Sequence, residues 1–133
     1  MNALKEWHRL SDKYHPKGVL FHMIYLSEAH ASDEWPVGPS ISFCKQPKTL
    51  KERMDLARQV AQQMPRSTPT RLWVDSMTNA FRDTYAAWPV RYFVIVHGIL
   101  RFIAQPDSQY FTYDVSELDS VLETICASTL TSL

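Results

Sequence analysis

A nearly continuous apolar run, residues 19–26, is the strongest constraint on the fold of this chain. Pro16 and Gly18 precede it, and a polar segment rich in proline follows it. A short apolar run between turn residues is typical of a strand that is buried on both faces, and such strands occur mostly in parallel sheets. The run therefore predicts a buried strand, most consistent with a parallel sheet.

Eight elements are predicted from periodicity and chain breakers, in the order α-β-α-β-α-β-β-α. They are a helix over residues 4–14, a strand over 19–26, a helix over 50–64 capped by Thr49, a strand over 72–74, a helix from Asp75, strands over 90–96 and 99–104 joined at His97-Gly98, and a helix from Asp114. This order predicts one α/β domain over residues 1–133, with a mixed sheet flanked by helices.

Apolar faces of two helices and most of the tryptophans are predicted to form the core. The second helix is expected to bury Leu50, Met54, Ala57, Val60, Ala61 and Met64. The last helix is expected to bury Val115, Leu118, Val121, Leu122 and Ile125. Among the tryptophans, Trp7, Trp73 and Trp88 are expected to lie mostly in the core. Trp35 lies in a predicted loop, where its ring is placed to form the wall of an aromatic ligand site.

Composition and charge exclude several classes of partner. The chain has 133 residues, of which 45% are hydrophobic, and its 14 basic side chains balance 14 acidic ones. A net charge of zero gives no general attraction to nucleic acid or to anionic lipid. No apolar stretch reaches the ~20 residues of a membrane helix, and the first residues do not resemble a secretory signal. We therefore expect a cytoplasmic protein without nucleic-acid or membrane partners.

The two cysteines, Cys44 and Cys126, are too far apart in sequence for a zinc-binding CxxC pair. Both are expected to be free and partly buried, although a single disulfide is left open. Cys44 is a candidate nucleophile. The alternative is a structural or incidental thiol, because no histidine lies near it in sequence to activate it. No metal site and no bound cofactor are predicted.

The segment that follows the first strand carries the best candidates for chemistry. Open α/β sheets bind their ligands beyond the carboxyl ends of their strands, and a loop of about twenty residues at that place is often functional. Glu28 and His30 are close enough in sequence to share a pocket, where a carboxylate can orient an imidazole for proton transfer. The alternative is that Glu28, His30 and Asp33 are solvated side chains that cap the backbone.

Four ordered segments resemble one known family. Residues 25–35 read YLSEAHASDEW, and they are followed by QPKTLKER at 46–53, VDSM at 74–77 and YAAWPVRY at 85–92. This pattern resembles the iodothyronine deiodinases and their bacterial relatives, over most of the chain. The EAHASD run is the specific part of the match, and the other segments count because their order and spacing agree.

The resemblance implies a thioredoxin-like fold and reductive thiol or selenol chemistry. It implies that Glu28 and His30 serve proton transfer or substrate contact, with proton transfer as our prediction. It also implies that Arg91 lies near the active-site face as a partner of the reactive thiolate or selenolate. We expect three side chains to contact substrate, namely Tyr25, Trp35 and Gln46. The implied substrate is a small molecule, aromatic or halogenated, and the implied electron donor is a thiol reductant. A homodimer is compatible with the resemblance.

The family's selenocysteine or cysteine nucleophile follows a central strand that precedes the helix with which this chain begins. We therefore expect this strand and the nucleophile to be missing from the 133 residues and the chain to be inactive as written. Met1 is then a false or late start, and a genuinely truncated gene fits the sequence equally well. Each buried backbone group left unpaired by a missing strand costs about 1–3 kcal/mol. The alternative function is a non-catalytic small-molecule-binding or interaction module derived from the same fold.

Overall fold

The computed structural model describes residues 3–65, 69–110 and 112–130. The chain divides into two compact units, one formed by Met1–Leu20 with Arg91–Leu133 and the other by Phe21–Val90. The predicted order of helices and strands is confirmed. The helices are α1 (Ala3–Tyr14), α2 (Leu50–Gln63), α3 (Ala80–Tyr85) and α4 (Val115–Leu130). The strands are β1 (Phe21–Tyr25), β2 (Thr70–Val74), β3 (Phe93–Val96) and β4 (Ile99–Ile103).

The strands form two small sheets within the part of the chain that the structure describes. β1 pairs with β2 in parallel, and β3 pairs with β4 in antiparallel around His97-Gly98. The parallel direction of β1 and the hairpin are thus confirmed, and helices with small sheets are compatible with an α/β fold. The predicted burial of the first strand on both faces is wrong, because within β1 Phe21 alone is buried and His22 is exposed. The single mixed sheet is not formed among these residues, because β1 and β3 each have a ladder partner on one side only.

In the first unit, α1 packs against α4. Leu10 and Tyr14 on α1 are fully buried, and Leu118 and Leu122 on α4 are buried as well. The other three predicted core residues of α4, Val115, Val121 and Ile125, are half-buried. The apolar stripe of α4 was therefore placed correctly, with its deepest contacts at two of the five positions.

Asp119 on α4 collects three side chains of α1. Lys13 Nζ and Arg9 Nη1 donate to its carboxylate at 2.8 and 2.9 Å, and the Tyr14 hydroxyl donates to both its side chain and its carbonyl. The hydrogen bonds from Lys13, Tyr14 and Arg9 hold the pKa of Asp119 well below its ordinary value. Asp119 is therefore an ionised link between the two helices at all ordinary pH values.

Replacing Asp119 by asparagine is expected to lower the free energy of unfolding by about 1 kcal/mol near neutral pH, since partly exposed ion pairs contribute little more. Because the folded-state pKa of Asp119 is lowered, the wild type loses this stabilisation as the pH falls below about 4, where the unfolded carboxylate begins to protonate. Urea unfolding near pH 7 and in acid measures both. A difference between wild type and Asp119→Asn that stays constant into acid would contradict this account.

In the second unit, α2 lies on the parallel pair with a face different from the predicted one. Thr49 and Glu52 form the predicted N-terminal cap, in which each side chain accepts from the other's backbone N–H. The buried residues of α2 are Arg53 and Ala57, whereas Leu50 and Met54 are exposed. Ala61 is exposed as well, so the predicted apolar stripe is wrong at three positions. It is right at Ala57, and Val60 and Met64 are half-buried. Arg53 is tolerated beneath the helix because its guanidinium has three acceptors there.

The third helix begins later than predicted. Residues 75–79 form a turn, and α3 starts only at Ala80. The Asp75 carboxylate accepts from the backbone N–H groups of Ser76, Phe81 and Arg82 at 2.8, 3.0 and 3.0 Å. Asp75 therefore caps α3 from the preceding turn. Helix propensity alone could not show that residues 75–79 lie before the helix and not within it.

Candidate functional site

The candidate site lies at the carboxyl end of the parallel pair. Residues 26–49 contain no helix or strand, as predicted, and they follow β1 directly. The pairing of β1 with β2 continues one step beyond the strands, since Asp75 N donates to Tyr25 O at 2.9 Å. The loop and the turn after β2 therefore leave the sheet at the same edge.

Gln46 holds the two ends of this loop together. Its Oε1 accepts from Glu28 N at 3.0 Å, and its Nε2 donates to Glu28 O and to Glu34 Oε2, both at 3.0 Å. Its own backbone N–H donates to Asp33 Oδ1 at 2.8 Å. Both ends of the Gln46 amide thus bond the backbone of Glu28, and the predicted contact of Gln46 with substrate stays a prediction. Asp33 caps a backbone N–H group, as the alternative interpretation in the sequence analysis expected.

Replacing Gln46 by alanine is expected to leave the N–H and C=O of Glu28 without partners and to cost about 1–3 kcal/mol locally. The expected result is faster hydrogen exchange at the Glu28 amide, by about tenfold or more, with a smaller change in global unfolding. Gln59→Ala, at an exposed position of α2, is the matched control. If both variants exchange at Glu28 as the wild type does, the clamp does not hold the loop.

Glu28 and His30 both lie half-buried in the clamped segment. Burial raises the pKa of the Glu28 carboxyl, so it keeps its proton to higher pH than an exposed glutamate does. The His30 ring contacts the Trp35 ring, with centroids 4.9 Å apart and planes tilted by 58°. His30 Nδ1 is buried and has no hydrogen-bond partner among the described residues. The segment thus offers a carboxyl group inclined to hold a proton and an imidazole nitrogen that is not committed to another group.

The remaining predicted site residues are placed as follows. Tyr25 is the last residue of β1 and is half-buried. Trp35 has 59% of its surface exposed, as an aromatic wall for a ligand requires. Arg91 belongs to the other unit, just before β3, and its Nε is buried without a partner among the described residues. His30 therefore contacts Trp35, and Gln46 contacts Glu28. Tyr25 is close to these residues in sequence only.

Cys44 lies at the same clamp, because its carbonyl accepts from Ser32 N at 2.8 Å. Burial raises the pKa of the Cys44 thiol, and the negative charges of Glu28 and Asp33 raise it further. Cys44 is therefore kept as a neutral thiol, which is a poor nucleophile. Both Cys44 and Cys126 are free and half-buried, as predicted.

Sequence reasoning missed Arg82 and misplaced Trp88. The guanidinium Nη1 of Arg82 donates to Ser27 Oγ at 3.2 Å. This hydrogen bond links α3 to the start of the loop at residues 26–49. Trp88, predicted to lie in the core, is 39% exposed, and Trp73 is 52% exposed. The sequence did contain a signal for Arg82. Asp75 directly follows β2 and caps α3, so recognising this cap would have placed the start of α3, and Arg82 with it, at the edge of the sheet.

Other classes of site are absent from the described part of the chain. Over these residues no group of three or more His, Cys, Asp or Glu side chains is arranged to hold a metal ion. Within residues 3–65, 69–110 and 112–130, no helix combines the length and the hydrophobicity needed to cross a bilayer.

The site thus belongs to an α/β protein whose candidate proton-transfer groups lie beyond the carboxyl end of a parallel strand pair. A sequence profile of the iodothyronine deiodinases matches residues 1–126. The chain is 34% identical over 125 residues to the thyroxine 5-deiodinases of Ovis aries and Homo sapiens, covering 92% of this chain and 40% and 38% of those proteins. It is 33% identical over 103 residues to the type I iodothyronine deiodinase of Xenopus laevis, covering 77% of this chain and 38% of that protein.

The chain therefore belongs to the iodothyronine deiodinase family, and the resemblance seen in the sequence is confirmed. It spans about two fifths of the length of the curated relatives that it matches.

Proposed function

We propose that this chain supplies the proton-transfer and substrate-contacting groups of a reductive dehalogenation site, within a single thioredoxin-like domain. The observation that carries the proposal is the position of Glu28 and His30, directly after β1 in a segment clamped by Gln46. Membership of the deiodinase family supports the choice of reaction. An iodinated phenol is the substrate class that the names of the relatives suggest.

In the proposed reaction a thiolate or selenolate attacks the iodine atom of the substrate. The carbon–iodine bond breaks, a bond from iodine to sulfur or selenium forms, and the ring carbon takes a proton from Glu28 or His30. A thiol reductant then releases iodide, becomes a disulfide, and restores the nucleophile. In this scheme the Trp35 ring lies against the substrate. The role of Arg91 as a partner of the anionic nucleophile stays a prediction of the sequence.

The nucleophile itself, a cysteine or selenocysteine, is proposed to lie on a segment outside these 133 residues. The raised pKa of Cys44 argues against the nearest thiol in the chain. A cytoplasmic location and a homodimer stay predictions of the sequence.

The test supplies the nucleophile as a small molecule. The chain is incubated with 3-(4-hydroxy-3-iodophenyl)propionate, 2-aminoethaneselenol and excess dithiothreitol, and iodide is measured over time. The proposal expects the chain to accelerate iodide release by about tenfold or more over selenol alone, because it holds substrate and proton donor together. Release at the rate of selenol alone, with substrate bound, would refute catalytic participation.

A second candidate function is small-molecule binding without turnover. It is favoured by the neutral state of Cys44, the only cysteine in the unit that carries Glu28 and His30. Saturable binding of the iodinated phenol in the same experiment, with no acceleration of iodide release, would support this function instead.

A further inference from the structure

An open cleft of about 480 Å³ lies at the C-terminal end of α3, in the same unit as the candidate site. Its walls are formed by Arg82, Asp83, Ala86 and Trp88. None of these residues was among the predicted site residues. The cleft contains one cation, one anion and one large aromatic ring, which is a combination that recognises charged aromatic ligands.

Arg82 is held at this cleft from two directions. Its backbone N–H donates to Asp75 Oδ2 at 3.0 Å, and its Nη1 donates to Ser27 Oγ at 3.2 Å. Ser27 immediately precedes Glu28, so the guanidinium lies at the start of the clamped loop. The first bond fixes the backbone of Arg82, and the second restrains its guanidinium. A side chain that is already restrained loses less rotamer freedom on binding a ligand, which lowers the entropic cost of binding.

The guanidinium keeps binding capacity after these attachments. Its Nε donates to Asp83 Oδ1 at 2.8 Å, and this aspartate is 60% exposed at its side chain. No described residue accepts a hydrogen bond from Nη2. A guanidinium edge of this kind binds carboxylates, and the nearby Asp83 carboxylate disfavours ligands that carry more than one negative charge.

Trp88 supplies the apolar side of the cleft. Its indole is 39% exposed, although the side chain is large and apolar. An exposed indole ring next to an arginine offers a surface on which a flat aromatic ring can stack. The two groups together favour one ligand class, an aromatic ring that carries a single carboxylate.

We propose that the Arg82–Trp88 cleft binds the carboxylate-bearing end of an aromatic substrate, with Arg82 as a specificity-determining residue. The link to turnover rests on the proposed dehalogenation, whereas the binding itself does not. The cleft would anchor the substrate through Arg82 and leave its halogenated end free to reach the segment that carries Glu28 and His30.

The test measures binding without any nucleophile present, by calorimetric titration of the full chain. The ligands are 3-(4-hydroxy-3-iodophenyl)propionate and its methyl ester, which differ in the carboxylate charge. Arg82→Gln is expected to raise the Kd of the acid about tenfold or more, since charge-assisted hydrogen bonds are lost, and to leave the Kd of the ester unchanged. Trp88→Leu is expected to raise both dissociation constants.

Arg58→Gln is the matched control, because Arg58 is an exposed residue of α2 that pairs with Asp55. Arg82→Lys keeps the charge and is expected to give an intermediate Kd, so a folding defect of Arg82→Gln does not end the test. Equal dissociation constants for Arg82→Gln, Arg82→Lys and Arg58→Gln, in variants that melt as the wild type does, would overturn the cleft proposal. The titration measures no turnover, so equal dissociation constants would not affect the dehalogenation proposal. Likewise, a failure to accelerate iodide release would not affect the cleft proposal.

Discussion

Replacing Arg53 by alanine is expected to lower the free energy of unfolding by about 2–3 kcal/mol, because neutral acceptors lose their donor and each one left buried and unpaired costs about 1–3 kcal/mol. Arg53 is 2% exposed. Its Nη1 donates to the carbonyls of Asp75 and Ser76 at 3.2 and 2.7 Å, and its Nη2 donates to Asn79 Oδ1 at 3.0 Å. Alanine would leave the buried carbonyl of Asp75 and the partly buried acceptors of Ser76 and Asn79 without this donor.

Urea unfolding followed by circular dichroism measures this loss. The control is Arg58→Ala on the same helix, where the side chain is 62% exposed and pairs with Asp55. An exposed pair contributes about 0–1 kcal/mol, so the control is expected to change stability little. Similar losses for the two alanine variants would show that Arg53 does not hold the turn after β2.

Glu28→Gln is expected to remove most of the acceleration of selenol-dependent iodide release and to bring the rate close to that of selenol alone, because a positioned general acid typically contributes about 100-fold or more. Glutamine keeps the shape of the side chain and removes its proton. The variant is expected to fold at least as well as the wild type at neutral pH. The reason is that a raised folded-state pKa means that ionising Glu28 costs folding free energy as the pH rises through that pKa.

The pH dependence gives a second measurement of the same residue. If Glu28 donates the proton, the wild-type rate is present below its raised pKa and falls as the pH rises through it. Glu28→Gln should lack this fall, whereas Glu117→Gln, at an exposed position on α4, should show it unchanged. A wild-type profile that Glu28→Gln reproduces at full rate would remove Glu28 from the mechanism.

Much of the local structure could be predicted from the sequence because its causes are local. The break at Pro16 and Gly18, the Thr49 cap and the His97-Gly98 turn each follow from the backbone preferences of a few neighbouring residues. The position of Glu28 and His30 beyond a strand end followed from the length of one apolar run. These features depend on neighbours in sequence and were predicted with small errors in their ends.

The failures concern residues whose roles depend on distant partners. Arg53 was not assigned a role from the sequence, and its burial depends on the carbonyls of Asp75 and Ser76. Gln46 was predicted to contact substrate, which stays a prediction, whereas its bonds to the backbone of Glu28 were not predicted. In both cases a polar side chain is used to satisfy backbone groups of another segment, and no periodicity in the sequence encodes that pairing.

The clamp at Gln46 has a consequence for how this loop varies in evolution. The contacts of Ser32 with Cys44 and of Asp33 with Gln46 close the base of an excursion, and in the described part of the chain its residues 36–43 make no hydrogen bond with Glu28 or Gln46. Closing a longer loop costs little, about 0.6 kcal/mol for each doubling of its length. Insertions and deletions should therefore accumulate within 36–43 among relatives, while the spacing from Glu28 to Trp35 and the residues at the base stay fixed.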